Sequence, residues 1–231
     1  VDGIQQQRGI ALSNSTMDVE RVEVLRGPQG TMYGRNATGG AVNIVMVQPK
    51  DKFEASARAQ IGNYNAQTYE AMVNVPIYSK LALRASAVKD KRDSYMASSD
   101  AYQDQLTARF KAQFKPNDDL SLTGTVEYRE DKSEGGWGSV PADALDTDDP
   151  WSYIGTTSGG AASSIWNDSW SYSLNMVWNI MDWTTFTFIP AMSKNKLHQQ
   201  TTTGGAPPEP YPNATQYTYE ARFANAEGSR L

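Results

Sequence analysis

The stretch Gln105-Leu-Thr-Ala-Arg-Phe-Lys-Ala-Gln-Phe-Lys115 decides the fold. Leu106, Ala108, Phe110, Ala112 and Phe114 fall on one parity; Gln105, Thr107, Arg109, Lys111, Gln113 and Lys115 fall on the other. A strict period of two makes a β-strand with one apolar and one polar face. On a helix the same residues would scatter around the axis and leave no face to bury.

The pattern repeats in both directions. Upstream, Phe53, Ala55, Ala57, Ala59 and Ile61 alternate with Glu54, Ser56, Arg58 and Gln60. Tyr69 to Ile77 and Leu81 to Ala87 follow suit. Downstream come Leu120 to Tyr128, Trp170 to Trp178 and Tyr217 to Phe223. Residues 183–194 are less regular, and Pro190 inside them predicts a bulge or a strand end, because proline cannot donate to a ladder. The count is eight strands of roughly ten residues, the length that crosses a bilayer at a tilt. Tight turns are expected at Tyr78-Ser79, Pro116-Asn117-Asp118 and Ile180-Met181-Asp182. Looser connections are expected at 62–66, 90–103, 130–168 and 196–214. Short and long connections alternate, as in barrels with short turns at one end and long loops at the other. A soluble β-sandwich also alternates apolar and polar residues, but nothing makes it gather its long loops at one end.

Composition narrows the function classes. The chain has 231 residues, with Lys+Arg 21 against Asp+Glu 26, and its net charge of -5 argues against a nucleic-acid binder. Cysteine is absent, which excludes disulfides and thiolate metal sites. No apolar run reaches the roughly 18 residues of a membrane helix. Transmembrane strands evade that test, since their lumen-facing residues are polar. Six Trp and twelve Tyr are the residues used by membrane-interface girdles. Enzyme chemistry finds no support: His198 is the single histidine, and no nucleotide fingerprint is present. His198 and the acidic run Asp143, Asp146, Asp148 and Asp149, with Trp137, Trp151 and Trp166 nearby, read as exposed loop residues.

The N-terminal fifth is built differently. Val19-Glu-Arg-Val-Glu-Val-Leu-Arg-Gly-Pro28 begins as a short strand and ends in a turn at Gly27-Pro28-Gln29-Gly30. Tyr33, Gly34, Arg35, Gly39 and Gly40 mark a glycine-rich loop before Ala41 to Val47, an apolar run that predicts a buried strand. Asp18 is placed to cap a brief helical turn. Gln48-Pro49-Lys50-Asp51 breaks the apolar run and reads as a linker.

Val19 to Pro28, Tyr33-Gly34 and Gly39 to Ile44 closely resemble the C-terminal half of the plug domain of TonB-dependent outer-membrane receptors. Val1-Asp2-Gly3-Ile4 resembles a further short plug strand. The resemblance implies a mainly β fold: a partial transmembrane antiparallel β-barrel of about eight strands with a small α/β plug segment. Residues 1–48 would be the second half of the plug and 49–231 the first part of the barrel. The sequence reads as a fragment at both ends, without its signal peptide and TonB box. Glu20, Arg21, Glu23, Arg26, Gly27, Pro28, Gly30, Tyr33, Gly34, Arg35, Gly39, Gly40 and Asn43 carry the plug motif and the expected contacts with the wall. At least one of Arg21, Arg26 and Arg35 is expected to pair with a wall carboxylate, with Glu70, Arg109, Glu127 and Arg129 as the wall's candidates.

By the same resemblance the whole protein would import a scarce nutrient, typically a ferric siderophore, driven through the TonB energy-transducing complex. Outer-membrane lipid would surround it. Iron would arrive with the ligand as a metal chelate, and no cofactor is expected. A passive porin is the alternative, and a β-sandwich binding module is a third reading.

Overall fold

The computed structural model describes residues 1, 2, 4, 17–28, 39–94, 102–133, 163–201 and 213–225, with side chains left out at 163–166 and 197–201. Gly30, Tyr33, Gly34 and Arg35 lie outside the described residues, as do the acidic run, Trp137 and Trp151.

Two sheets account for the strands among the described residues. The smaller is an antiparallel pair, β1 (Val19–Arg26) and β2 (Gly40–Met46). The larger has eight strands: β3 (Glu54–Gly62), β4 (Ala66–Tyr78), β5 (Leu81–Arg92), β6 (Gln103–Phe114), β7 (Leu120–Asp131), β8 (Ser163–Met181), β9 (Thr184–Thr201) and β10 (Ala214–Asn225). They pair antiparallel in strict sequence order, a meander. No helix occurs among the described residues, so the α part of the expected α/β plug segment is not seen there. Asp18 caps no helix. It occupies a left-handed turn (φ 57°) directly before β1, a conformation Asp tolerates better than most residues.

Register explains how one sheet carries two chemistries. Ala55, Val73, Ala85, Phe110, Val126, Tyr172, Met192 and Tyr217 stand side by side across the eight strands. The next row, displaced by one residue, is Glu54, Asn74, Arg84, Lys111, Thr125, Ser173, Ala191 and Thr218. Because side chains alternate, the first row faces one side of the sheet and the second the other. The apolar side is bare: Phe53, Tyr69, Val73, Phe110 and Phe223 are all exposed. Leu83, Leu106 and Leu122 share that face.

Three expectations about the connections need correction. The link between β3 and β4 is as tight as the turns at the far end. Tyr64 and Asn65 both have positive φ there, and Ala66 donates its N–H to the Asn63 carbonyl. Those are the two left-handed residues of a type I′ hairpin turn, which the loose reading of 62–66 missed. Strand β8 starts at Ser163 and β9 runs to Thr201, so Trp166 and His198 are opposed strand residues and not loop residues. Finally, Pro190 neither ends nor bulges β9. The strand passes straight through it with unchanged register, opposite Tyr219, and only the pairs opposite Leu174 and Asn175 drop out of the β8 ladder.

Candidate functional site

Over β5 to β7 the polar face of the large sheet is the buried one. Lys111 is 2 % exposed and Arg109 4 %, while Phe110 between them is 45 % exposed. What covers the polar face is the N-terminal segment, which docks through three points on β5 and β6.

The first is a fork. Arg84 donates from Nε to Asp18 Oδ2 at 2.7 Å and from Nη2 to Oδ1 at 2.5 Å, the bidentate geometry that makes guanidinium–carboxylate pairs strong and directional. Its third nitrogen, Nη1, reaches Glu54 at 3.4 Å. The second is Lys111, the register partner of Arg84. Its Nζ donates to Asp2 Oδ2 at 2.8 Å, and the other oxygen of Asp2 accepts the N–H of Met46 at 2.9 Å. The Asp2 N–H donates to the Ile44 carbonyl at 3.0 Å, so Asp2 ties β2 to the wall. Asp2, like Asp18, takes a left-handed φ (47°). The third point is Arg109, which donates from Nη1 to the Met17 carbonyl at 3.1 Å.

Behind these contacts stands a wall network. Arg109 donates from Nε to Glu127 Oε2 at 2.6 Å, and Arg129 Nη2 lies 2.5 Å from Glu127 Oε1. Glu127 is 7 % exposed, and a lone carboxylate that dry would be costly without its two cations. Apolar packing at the dock is small: Met17 and Met46 are buried, while Val22, Val24 and Val42 are exposed. The expectation that Ala41 to Val47 is a buried strand therefore holds only at its end, at Met46.

A further residue escaped the sequence reading. Asn74, fully buried on β4, accepts the Lys50 N–H at 2.9 Å and donates to the carbonyls of Lys50 (2.9 Å) and Lys52 (2.6 Å). It clamps the segment joining the two sheets. Its only sequence signal was parity, since it falls on the polar face of β4.

For Arg21 the expected wall contact is not made: it pairs with Glu20 (3.1 Å) and Glu23 (2.7 Å) inside its own strand. At the Asp2–Lys111 and Asp18–Arg84 contacts the segment supplies the carboxylate and the wall the cation. Glu70 pairs with Arg58 at 3.7 Å on the wall itself. Glu23 also accepts a hydrogen bond from Asn43 Nδ2 at 2.9 Å, its register partner on β2. That bond first, and Arg21 second, hold the Glu23 carboxyl below the usual range. Gly40 is required where it stands: its φ is +145°, and a Cβ there would lie 2.5 Å from the Leu25 carbonyl oxygen. Gly27 also has positive φ (83°), ending β1.

Residues 1–41 match the family model of the TonB-dependent receptor plug domain. The N-terminal segment is thus similar to the plug of TonB-dependent receptors. Among curated relatives, the catecholate siderophore receptor Fiu of Escherichia coli K12 is 34% identical over 91 residues, covering 39% of this chain and 12% of that one. The pesticin receptor of Yersinia pestis is 28% identical over 202 residues, covering 77% and 29%. The chain thus spans less than a third of either relative. Among solved structures, the ferripyoverdine receptor of Pseudomonas aeruginosa superposes with a TM-score of 0.71 at 21% identity, over 87% of this chain and 28% of that one. The ferric yersiniabactin uptake receptor FyuA of Yersinia pestis does so at 0.68 and 21%, over 92% and 34%. At such identities the superpositions speak for the fold. Among the described residues no three His, Asp or Glu side chains converge as metal ligands would.

Proposed function

We propose that this chain is part of an outer-membrane transporter that imports a ferric siderophore with energy passed through the TonB complex. Residues 1–48 are the end of the plug, and 49–231 open the barrel that encloses it. The reading is supported most by one observation: over β5 to β7 the polar face of the sheet is buried under the N-terminal segment, while the apolar face is bare. A wall whose dry side is charged and whose outer side is apolar suits a barrel filled by a plug and immersed in lipid. A passive porin would keep that polar face for water. The related receptors named for catecholate siderophores and ferripyoverdine make a ferric chelate the nutrient of choice, carried as cargo, with no reaction catalysed on it.

The chemistry at the dock suits a plug that must shift during transport. Ion pairs and hydrogen bonds can be exchanged for water, whereas a large apolar interface would resist parting. The test is growth of a deletion strain under iron limitation on single ferric siderophores. Loss of growth on one of them, restored by the full-length gene and abolished again without TonB, is the expected result. Unchanged uptake of every ferric chelate, or uptake that persists without TonB, would overturn the reading.

A further inference from the structure

The polar face of the large sheet changes chemistry partway across. Each of β3 to β7 carries ionised side chains on it: Arg58, Glu70, Arg84, Arg109 and Glu127 in turn. Strands β8 and β9 carry none on that face among their described side chains. Ser171, Ser173 and Asn175 stand there on β8, and Thr187, Ser193 and Asn195 on β9. Charge returns on β10, where Glu220 and Arg222 pair with each other at 2.9 Å. Between the two charged sectors lies a neutral strip, two strands wide and rich in hydroxyls and amides.

The strip is also apart from the dock. The tethers of the N-terminal segment described above fall on β4, β5 and β6, at Asn74, Arg84, Arg109 and Lys111. In this state the strip is closed at mid-height, where Ile189 and Ala191 are buried. Beside them the β8–β9 ladder lapses at Asn175, whose Oδ1 is shut off from solvent with no hydrogen-bond donor among the described residues. A buried amide oxygen without a donor is costly, so this acceptor favours any N–H or O–H brought to it.

A path for a polar solute needs contacts strong enough to admit it and weak enough to release it. Hydrogen bonds to ionised groups are about twice as strong as neutral ones. An oxygen-rich chelate would therefore stall on Arg84, Arg109 or Lys111, and wall carboxylates would repel its anionic oxygens. Serine, threonine and asparagine offer it bonds that water can replace one at a time. We propose that the strip on β8 and β9 is the wall of the transport path, along which the ferric chelate passes once the cover over Ile189 and Ala191 shifts. The inference rests on the transporter reading above and adds the route to it.

The experiment uses the full-length receptor in the deletion strain. Initial uptake of radio-iron chelates of a catecholate, a hydroxamate and a mixed-donor siderophore is measured with TonB, and their surface binding without it. Asn175→Lys and Asn175→Asp should each slow uptake about tenfold, the ratio for a charged contact in place of a neutral one, with surface binding unchanged. Asn175→Ser, still neutral, should keep the wild-type rate. Gln113, Thr123 and Asn175 share one row across β6, β7 and β8, so Gln113→Lys puts the same charge at the same height in the charged sector. That control should leave uptake at the wild-type rate. Exclusion of vancomycin by cells without TonB reports a seated plug. Ser193→Lys serves if Asn175→Lys admits the antibiotic or does not reach the outer membrane. Wild-type uptake in the β8 or β9 lysine variant, equal slowing by Gln113→Lys, or a loss of uptake matched by a loss of binding overturns the proposal. Uptake of none of the chelates by the wild-type receptor would instead overturn the transporter reading, so the two failures are distinct.

Discussion

Phe110 and Lys111 are adjacent on β6, yet the phenylalanine is 45 % exposed and the lysine 2 %. In a water-soluble sheet the burial would run the other way, because apolar area leaves water at about 25 cal/mol per Å² and a buried ammonium costs several kcal/mol. The inversion teaches what each face is solvated by. Lys111 is tolerable in a dry place because Asp2 reaches it, and under the proposed membrane reading Phe110 faces hydrocarbon. One face is therefore held by specific partners and the other by a medium. The two should respond differently to single substitutions.

The largest effect belongs to the partnered face. Asp18→Asn strips the fork from Arg84, a side chain only 5 % exposed, and leaves Glu54 as its remaining carboxylate at 3.4 Å. Removing one partner of a buried pair costs about 3 kcal/mol or more. Amide exchange in β1 and β2 of the full-length receptor should accelerate accordingly. Adding Arg84→Met should recover much of the loss, since an apolar replacement leaves no charge stranded. Unchanged exchange in Asp18→Asn would mean that the fork does not hold the hairpin. On the other face, Phe110→Arg should cost about 2–4 kcal/mol in membrane assembly if it lies near the midplane. A normal outer-membrane level of that variant would mean that this face does not meet lipid.

The two faces were also unequally legible. Parity alone assigned Phe110, Val73 and Tyr69 outward and Arg109, Lys111 and Glu127 inward, because a period of two leaves no freedom once strands are recognised. Partners were not legible. Asp2 reads as part of a short strand and Asp18 as a helix cap, whereas their reach depends on left-handed turns that bring them over β5 and β6. Arg21 is one of three candidate wall contacts, yet local competition decides its partner: Glu20 and Glu23 flank it on the same strand. Asn74 carried no signal except its parity, since its role depends on backbone groups of a linker 22 to 24 residues away. Strand ends were misjudged for a related reason. β8 and β9 extend each other by pairing well past their apolar stretch, a tertiary support invisible in either segment alone.

The hairpin itself repeats the contrast on a smaller scale, between a docked end at Met17 and Met46 and a far end at Arg26 and Gly40. Gly40→Ala places a Cβ against the Leu25 carbonyl in a backbone region open essentially to glycine alone, a strain of about 1–3 kcal/mol. Exchange should quicken at the far end first, with the Asp18–Arg84 contact intact. Equal acceleration at both ends would show the hairpin to be one cooperative unit and erase the distinction between them.

The smallest effect separates exposed from buried charge. The Glu23 side chain is about one-third exposed, and its carboxyl is held below the usual range by Asn43 first and by Arg21 second. A depressed folded-state value means that the ionised form binds its partners and the protonated form does not. The contribution is therefore complete above the ordinary glutamate range and is lost as pH falls through that range toward the lowered value. Exchange of the Glu23 and Asn43 amides, corrected for its intrinsic pH dependence, should rise slightly on acidification in wild type and stay flat in Glu23→Gln. Arg21→Ala should leave most of the acid response in place, since the Asn43 bond remains and exposed pairs contribute little. If Arg21→Ala abolishes the response while Asn43→Ala spares it, the exposed ion pair outweighs the cross-strand hydrogen bond, and surface charge in this receptor matters more than its exposure implies.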